Sequence, residues 1–302
     1  MSAAAPASYD VAPGVARFPT VFVNAYFVGE PGEPWVLVDT GLPGAHSWVR
    51  QAVEARYGAG ARPEAIILTH GHFDHAGNAG ALAEDWGVPI FAHELELPYL
   101  TGRSDYPPQD PTMGGAIAFL SRFFPTSGYD FGDRVRALPA DGTVPGVPGW
   151  RWIHTPGHTP GHVSFFREHD RLLLAGDAFA TMDLDSWTSQ ITHARELCRP
   201  PAPFTTDWGA VRESISALAA LEPQTLAAGH GRPLDGAKVA VRLHAYSRHV
   251  EVPFHGRYVG RPAQADGRGV VAVPPPVRDP LPLRLAAGTA AAAVLYGLLQ
   301  RS

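Results

Sequence analysis

Apolar positions along the chain fall into short runs separated by Gly- and Pro-rich turns, and the period of the runs changes along the sequence. Val15 to Phe27 (VARFPTVFVNAYF) alternates apolar and polar residues and predicts strand. The turn Gly29-Glu30-Pro31-Gly32-Glu33-Pro34 leads into Trp35-Val36-Leu37-Val38, so the two segments are expected to pair as a hairpin. His46 to Tyr57 has helical spacing and stops at Gly-Ala-Gly. Glu64-Ala65-Ile66-Ile67-Leu68 reads as a buried strand, Asn78 to Asp85 as a helix closed by Gly87, and Val88 to Ala92 as another strand.

From Pro98 to Gly132 the periodicity fades while Tyr99, Tyr106, Phe119, Phe123, Phe124, Tyr129 and Phe131 accumulate. A segment of this kind is expected to be an insertion, with a helix at Ala116 to Phe124, serving either as a lid over a substrate pocket or as its own packing cluster. Strand patterns return at Arg134 to Leu138 and Trp150 to His154. Val163 to Phe166 and Arg171 to Leu174 predict a hairpin, Asp207 to Leu221 an amphipathic helix, and Thr225 to Ala228 a last apolar run. Met1 to Ala7 reads as a flexible leader. The tail from Arg261 reads as loop through Pro274-Pro275-Pro276, followed by a helix over Leu283 to Gln300.

The bulk numbers narrow the function. The 302 residues suffice for a domain over 15–260 with a tail over 261–302. Lys plus Arg is 24 against 29 for Asp plus Glu, a net charge of −5, so no nucleic-acid partner is expected. Cys198 is the single cysteine, which excludes an internal disulfide and a Cys-based zinc site. No basic segment followed by an apolar core opens the chain, and a cytoplasmic location is expected. The apolar stretch Leu285 to Leu299 is 15 residues, against the ~20 that cross a bilayer. It is expected to pack on the domain or on a second subunit, with membrane association as the alternative and a monomer or homodimer as the assembly.

The candidate chemistry sits at the ends of the apolar runs. Thr69-His70-Gly71-His72-Phe73-Asp74-His75 follows a predicted strand and offers four metal-binding side chains in six residues. Imidazole and carboxylate suit zinc, iron or manganese. The spacing is too dense for one tetrahedral ion: residues two apart can converge on one ion, and the next two can reach a second. Single ligand-type residues recur after later apolar runs, in His154-Thr155-Pro156-Gly157-His158-Thr159-Pro160-Gly161-His162, in Ala175-Gly176-Asp177-Ala178-Phe179 and in Gly229-His230-Gly231. Asp39 ends its own apolar strand, either as a turn or cap residue or as a support for the metal site. No phosphate loop, nucleophile elbow or dinucleotide fingerprint accompanies them.

Asp39, THGHFDH, TPGHTPGH, AGDAF and AGHG, in that order over about residues 15–255, resemble the ordered motifs of the metallo-β-lactamase superfamily. The resemblance is to the glyoxalase II and lactonase branch with a bridging aspartate. It implies an α+β fold, a four-layer αββα sandwich, holding two Zn2+ ions with Fe or Mn as alternatives. Carried over motif by motif, His70, His72 and His158 would hold one ion, Asp74, His75 and His230 the other, and Asp177 would bridge them. Asp39, His154 and His162 would support the ligands, and Asp74 would also act in catalysis by orienting the attacking hydroxide or passing a proton. The implied activity is hydrolysis of a small-molecule acyl substrate (ester, thioester or lactone) by a metal-bridging hydroxide. The alternatives are a β-lactamase, an iron-dependent redox member of the superfamily, and a non-catalytic scaffold.

Overall fold

In the strand Val23–Val28 every residue is buried, yet neighbours serve different cores. Ala25 and Phe27 point into one apolar cluster and Tyr26 and Val28 into another. That is the two-residue period of a strand covered on both faces. The computed structural model describes residues 7–192 and 195–281. Its first sheet has seven strands in sequence order: β1 (Tyr9–Ala12), β2 (Val15–Thr20), β3 (Val23–Val28), β4 (Val36–Val38), β5 (Ala65–Ile67), β6 (Ile90–Ala92) and β7 (Val135–Ala137). Strands β1 to β4 are joined antiparallel and β4 to β7 parallel. The second sheet runs β12-β11-β10-β9-β8, from β8 (Trp150–His154), β9 (Val163–Arg167), β10 (Leu172–Leu174), β11 (Thr225–Ala227) and β12 (Leu234–Asp235).

Three apolar clusters stack these sheets. Val36, Val38 and Ile67 of the first sheet meet Phe165, Leu172 and Leu174 of the second. The outer face of the first sheet, with Leu37 and Ile66, is covered by helices α1 (His46–Tyr57) and, after the short α2 (Phe73–Ala76), α3 (Ala79–Trp86). Helices α4 (Leu97–Leu100), α5 (Gly115–Ser121) and α6 (Trp187–Thr192) follow. On the outer face of the second sheet, Phe166, Leu173 and Leu226 pack against α7 (Trp208–Ala219) and α8 (Val239–Ser247). The order helix, sheet, sheet, helix is the expected αββα sandwich.

The differences from the sequence reading are local. Val15 to Phe27 is itself a hairpin, turned at Val21 and Phe22, and β3 then pairs with β4 as expected. Tyr9–Ala12 adds an edge strand that its weak alternation did not signal. The expected loop after Arg261 contains a small hairpin, β13 (Gln264–Asp266) with β14 (Gly269–Ala272), turned at Gly267 and Arg268. The helix expected over Ala116 to Phe124 stops at Ser121, and the chain continues in a turn that carries Phe124. The leader residues 1–6 and the helix expected over Leu283 to Gln300 lie outside the described residues. Among those described, no helix is long and apolar enough to cross a membrane.

Candidate metal centre

Register places the candidate ligands. Strands β10 and β11 pair in parallel with Leu174 opposite Ala227. Asp177 and His230 each lie three residues beyond those partners and therefore emerge side by side. The Gly229 N–H donates to the Gly176 carbonyl at 2.8 Å and holds the two loops together. A Cβ on Gly229 would fall on Asp177 Oδ1 and against the His75 ring, so this approach needs glycine. In the first sheet, Val38 pairs with Ile67 in parallel, which sets Asp39 beside the turn Thr69 to His75. Asp39 adopts φ 58°, a left-handed conformation that Asp tolerates better than most residues.

Three groups of side chains can each converge on an ion: His70, His72 and His158; Asp74, His75 and His230; and His70, His75 and Asp177. Within each, the ligand atoms lie within 4.8 Å of one another. Asp177 Oδ2 is 3.5 Å from His75 Nε2, 3.6 Å from His158 Nε2 and 3.1 Å from His230 Nε2, so it touches histidines of the first two groups.

The outward nitrogens of the histidines are occupied. His75 Nδ1 donates to Asp39 Oδ2 at 2.8 Å. His70 Nδ1 donates to the Thr69 hydroxyl at 3.0 Å, and that hydroxyl donates on to Asp39 Oδ2 at 2.8 Å. His158 Nδ1 donates to Thr205 at 3.2 Å, and His230 Nδ1 to the Phe22 carbonyl at 2.8 Å. With Nδ1 protonated, each of these four rings presents a bare Nε2 inward. His72 is turned the other way and offers Nδ1, 3.0 Å from His158 Nε2. His70 Nε2, His75 Nε2 and Asp177 Oδ1 are buried with no hydrogen-bond partner. Orphaned buried atoms cost stability. A divalent cation fits this donor set, nitrogen and oxygen without sulfur.

Burial holds the pKa values of His70 and His158 well below the usual imidazole range and brings His72 to about 3. These rings are neutral and keep their lone pairs. Burial also opposes charge on His75 and His230, but there the carboxylates prevail, Asp177 foremost, and both pKa values are raised. Burial works against ionisation of Asp177, while His230 and His75 pull its pKa well down. Burial raises that of Asp74. A cation entering beside Asp177 would compete with any proton that His75 or His230 takes up on Nε2.

His162 contacts the centre through its backbone partner. Its Nε2 accepts the Asp177 N–H at 2.8 Å and its Nδ1 faces the Thr155 carbonyl at 3.1 Å. One ring nitrogen holds the Asp177 loop and the other is spent on Thr155 of its own turn, which leaves His158 as the inward histidine of that turn. His154 is placed apart from the group. It is exposed, hydrogen-bonds the Pro160 carbonyl at 2.8 Å and stacks on His93 with ring centroids 4.2 Å apart.

One residue absent from the sequence reading is central. Glu96 is fully buried and accepts four hydrogen bonds. Gly71 N–H (2.9 Å) and the Tyr106 hydroxyl donate to Oε2, while the Thr159 hydroxyl (2.7 Å) and Gly161 N–H (2.9 Å) donate to Oε1. The carboxylate ties the turn carrying His70 and His72 to the turn carrying His158 and His162. Its one sequence signal is a carboxylate in the otherwise apolar run Leu95 to Leu100. The aromatic residues of the insertion divide. Tyr106 lies against His72, with centroids 4.5 Å apart, and Phe124 lines the cavity over the ligands. Phe131 is buried in the helix-covered core, where Tyr129 packs alongside, and Phe123 is exposed.

The comparisons with known proteins agree with this geometry. The family model for the metallo-beta-lactamase superfamily matches residues 19–230. The chain belongs to that superfamily, whose members depend on metal. A probable metallo-hydrolase of Bacillus subtilis (strain 168), YflN, is 44% identical over 233 residues, 76% of this chain and 88% of the relative. A hydroxyacylglutathione hydrolase of Acidiphilium cryptum (strain JF-5) is 30% identical over 236 residues, 78% of this chain and 72% of the relative. Among solved structures, a metallo-beta-lactamase family protein from Thermus thermophilus superposes with a TM-score of 0.53 at 25% identity, covering 80% of each chain.

Proposed function

We propose that the protein is a dinuclear metal-dependent hydrolase that cleaves an acyl ester, thioester or lactone. The observation that carries the proposal is the pair of three-ligand groups meeting at Asp177, with bare buried nitrogen and oxygen atoms aimed between them. His70, His72 and His158 would hold one ion, and Asp74, His75 and His230 the other, with Asp177 between them. Zinc is the proposed metal, since neutral imidazoles and carboxylates are its usual ligands. Bound there, the metal pair would supply an ionised water near neutral pH and polarise the acyl oxygen.

The protein's own side chains do the rest. Asp39, through His75 and through Thr69, fixes two imidazoles in the tautomer that keeps Nε2 free. Asp74, whose Oδ2 is 3.6 Å from His230 Nε2, lines the cavity and is placed to carry a proton to the leaving group. Phe22, Phe73, Ile117, Phe124, Leu184 and Phe204 wall that cavity and suit the acyl chain. The cavity measures about 20 Å³, room for a water molecule, so the insertion around Phe124 must move aside to admit a substrate. The 30% identity to a hydroxyacylglutathione hydrolase favours a thioester within the class. We place the enzyme in the cytoplasm, as a monomer or homodimer acting on a small molecule.

Metal analysis of the purified protein and turnover of a panel of thioester, lactone, ester and β-lactam substrates test the reading. Two equivalents of zinc with acyl hydrolysis are expected. Oxygen consumption with bound iron, or no metal uptake and no turnover, would overturn it. Asp74→Asn with both metals retained and full turnover would remove Asp74 from the proton path.

A further inference from the structure

A cavity of about 720 Å³ lies beside the metal centre, where β2 and β3 meet the loop after His230. Arg17, Arg195 and Arg232 all line it, although they come from three distant parts of the chain. Among the described residues, no carboxylate lies within ion-pairing distance of any of the three. Arg17 Nη1 donates to Asn24 Oδ1 at 3.0 Å, and the guanidinium lies over the ring of Tyr9, 5.4 Å from its centroid, in the cavity wall. Burial, followed by the charges of Arg232 and Arg195 among its neighbours, lowers the pKa of Arg17. Of the acidic residues in the lining, Asp10 is committed to Arg56 at 2.8 Å, which leaves Asp235 against three guanidiniums. Like charges gathered without counter-charge repel one another, and an anion relieves that repulsion while accepting charge-assisted hydrogen bonds.

This cavity is coupled to the metal centre by shared residues. Phe22 lines both cavities, stacks on His230 with centroids 5.9 Å apart and accepts the His230 Nδ1 proton on its carbonyl. Asn24, which receives Arg17, donates to the Ala228 and Gly231 carbonyls at 2.9 and 2.7 Å, on either side of His230. An extended molecule with its acyl group at the metals could lie across Phe22 and end among the arginines.

We propose that Arg17, Arg195 and Arg232 form the binding site for an anionic arm of the substrate, a carboxylate- or phosphate-bearing leaving group. This rests on the acyl-hydrolase reading and narrows its substrate to anionic esters and thioesters. Guanidinium is the side chain suited to both anions, because its planar fork donates two parallel N–H bonds to their oxygens.

Two measurements test it. An S-alkyl glutathione, a non-hydrolysable thioether with two carboxylates, is titrated calorimetrically into zinc-loaded protein. The same acyl group is then presented as a glutathione thioester and as the neutral N-acetylcysteamine thioester. Arg17→Gln and Arg232→Gln should each weaken thioether binding about tenfold and lower the anionic-to-neutral ratio of kcat/KM by a similar factor. Arg17→Lys should recover part of the loss. Arg232 is exposed, so its substitution does not threaten the fold. Thioether binding and a substrate ratio that are unchanged in both variants would overturn the proposal. Thioether or inorganic phosphate that binds at the arginines without competing with the anionic thioester would also overturn it, in favour of a separate anion effector. If wild-type protein hydrolyses neither these thioesters nor the esters and lactones of the panel, the acyl-hydrolase reading fails, while the calorimetric comparison still decides whether the arginines bind an anion.

Discussion

Glu96 offers a direct test of how the two histidine-bearing turns are held in register. Removing its carboxylate in Glu96→Ala leaves the Gly161 N–H and the Thr159 hydroxyl buried without their acceptor, while the Gly71 N–H keeps the Tyr106 hydroxyl oxygen at 2.9 Å. At about 1–3 kcal/mol for each buried donor left unpaired, the loss is about 2–6 kcal/mol. In Glu96→Gln, one oxygen becomes an NH2 that faces two donors, on either the Gly71 or the Gly161 side, and the cost is about 1–3 kcal/mol. Tyr106→Phe removes one hydroxyl and leaves Glu96 three donors, so about 1 kcal/mol or less is expected. With a urea slope of about 3 kcal/mol per molar, a loss of 3 kcal/mol moves the unfolding midpoint by about 1 M. Gly71 separates His70 from His72, and Thr159 follows His158, so the variants should also weaken zinc binding. A drop of about 10–100-fold is expected for Glu96→Gln, the size usual for a partner just outside a metal's ligands. Urea titrations of the metal-free variants and zinc titrations against a competing chelator measure the two effects. A Glu96→Gln protein with the wild-type midpoint would refute the hydrogen-bond accounting. A destabilised protein with unchanged zinc affinity would refute the positioning role.

Two further predictions concern other parts of the site. Gly229→Ala places a methyl group on Asp177, and zinc stoichiometry should fall below two while the far-ultraviolet circular dichroism stays that of the wild type; a variant that keeps two tight zinc ions would contradict the close approach. Burial, reinforced by His154, lowers the pKa of His93 to about 4, and its Nδ1 accepts the Leu95 N–H at 3.2 Å. The unfolded chain takes up this proton near pH 6.5 and the folded one only near 4. The associated stability is therefore present above pH 6.5 and is lost as the pH falls from there to about 4. After discounting for solvent screening it amounts to about 1–2 kcal/mol. The metal-free His93→Asn variant should lose that much less stability than wild type between pH 7 and 4.5, and parallel urea midpoints across that range would refute it.

What is legible in the chain follows from what each residue must do. A metal ligand must be a particular residue type at the end of a strand, so the ligand-bearing turns stand out from residue type and position, and the family resemblance assigned the seven ligands within them. The sandwich was implied by the family resemblance, and strands such as Leu172–Leu174, apolar throughout and buried on both faces, agree with it. Glu96 was not legible because its partners, Gly71 and Gly161, are 25 and 65 residues away, and a lone carboxylate carries no pattern. Spacing left three histidines open in HTPGHTPGH. Hydrogen bonding separates them, because His162 uses both nitrogens on backbone groups and His154 turns to His93. The three cavity arginines were invisible for the same reason as Glu96: only the packing of strand against loop brings them together.

Each candidate ion site takes two ligands from the turn after β5 and one from a loop of the second sheet. An ion bound there is therefore a cross-link between the halves of the chain. His72 and His158 are 86 residues apart in sequence. Closing a loop of that length in an unfolded chain costs roughly 4–5 kcal/mol by the relation used for disulfides. A metal that stayed on its ligands during unfolding would impose that constraint on the denatured ensemble. Chelation would release it, widening the conformational freedom of the unfolded chain as well as emptying the site.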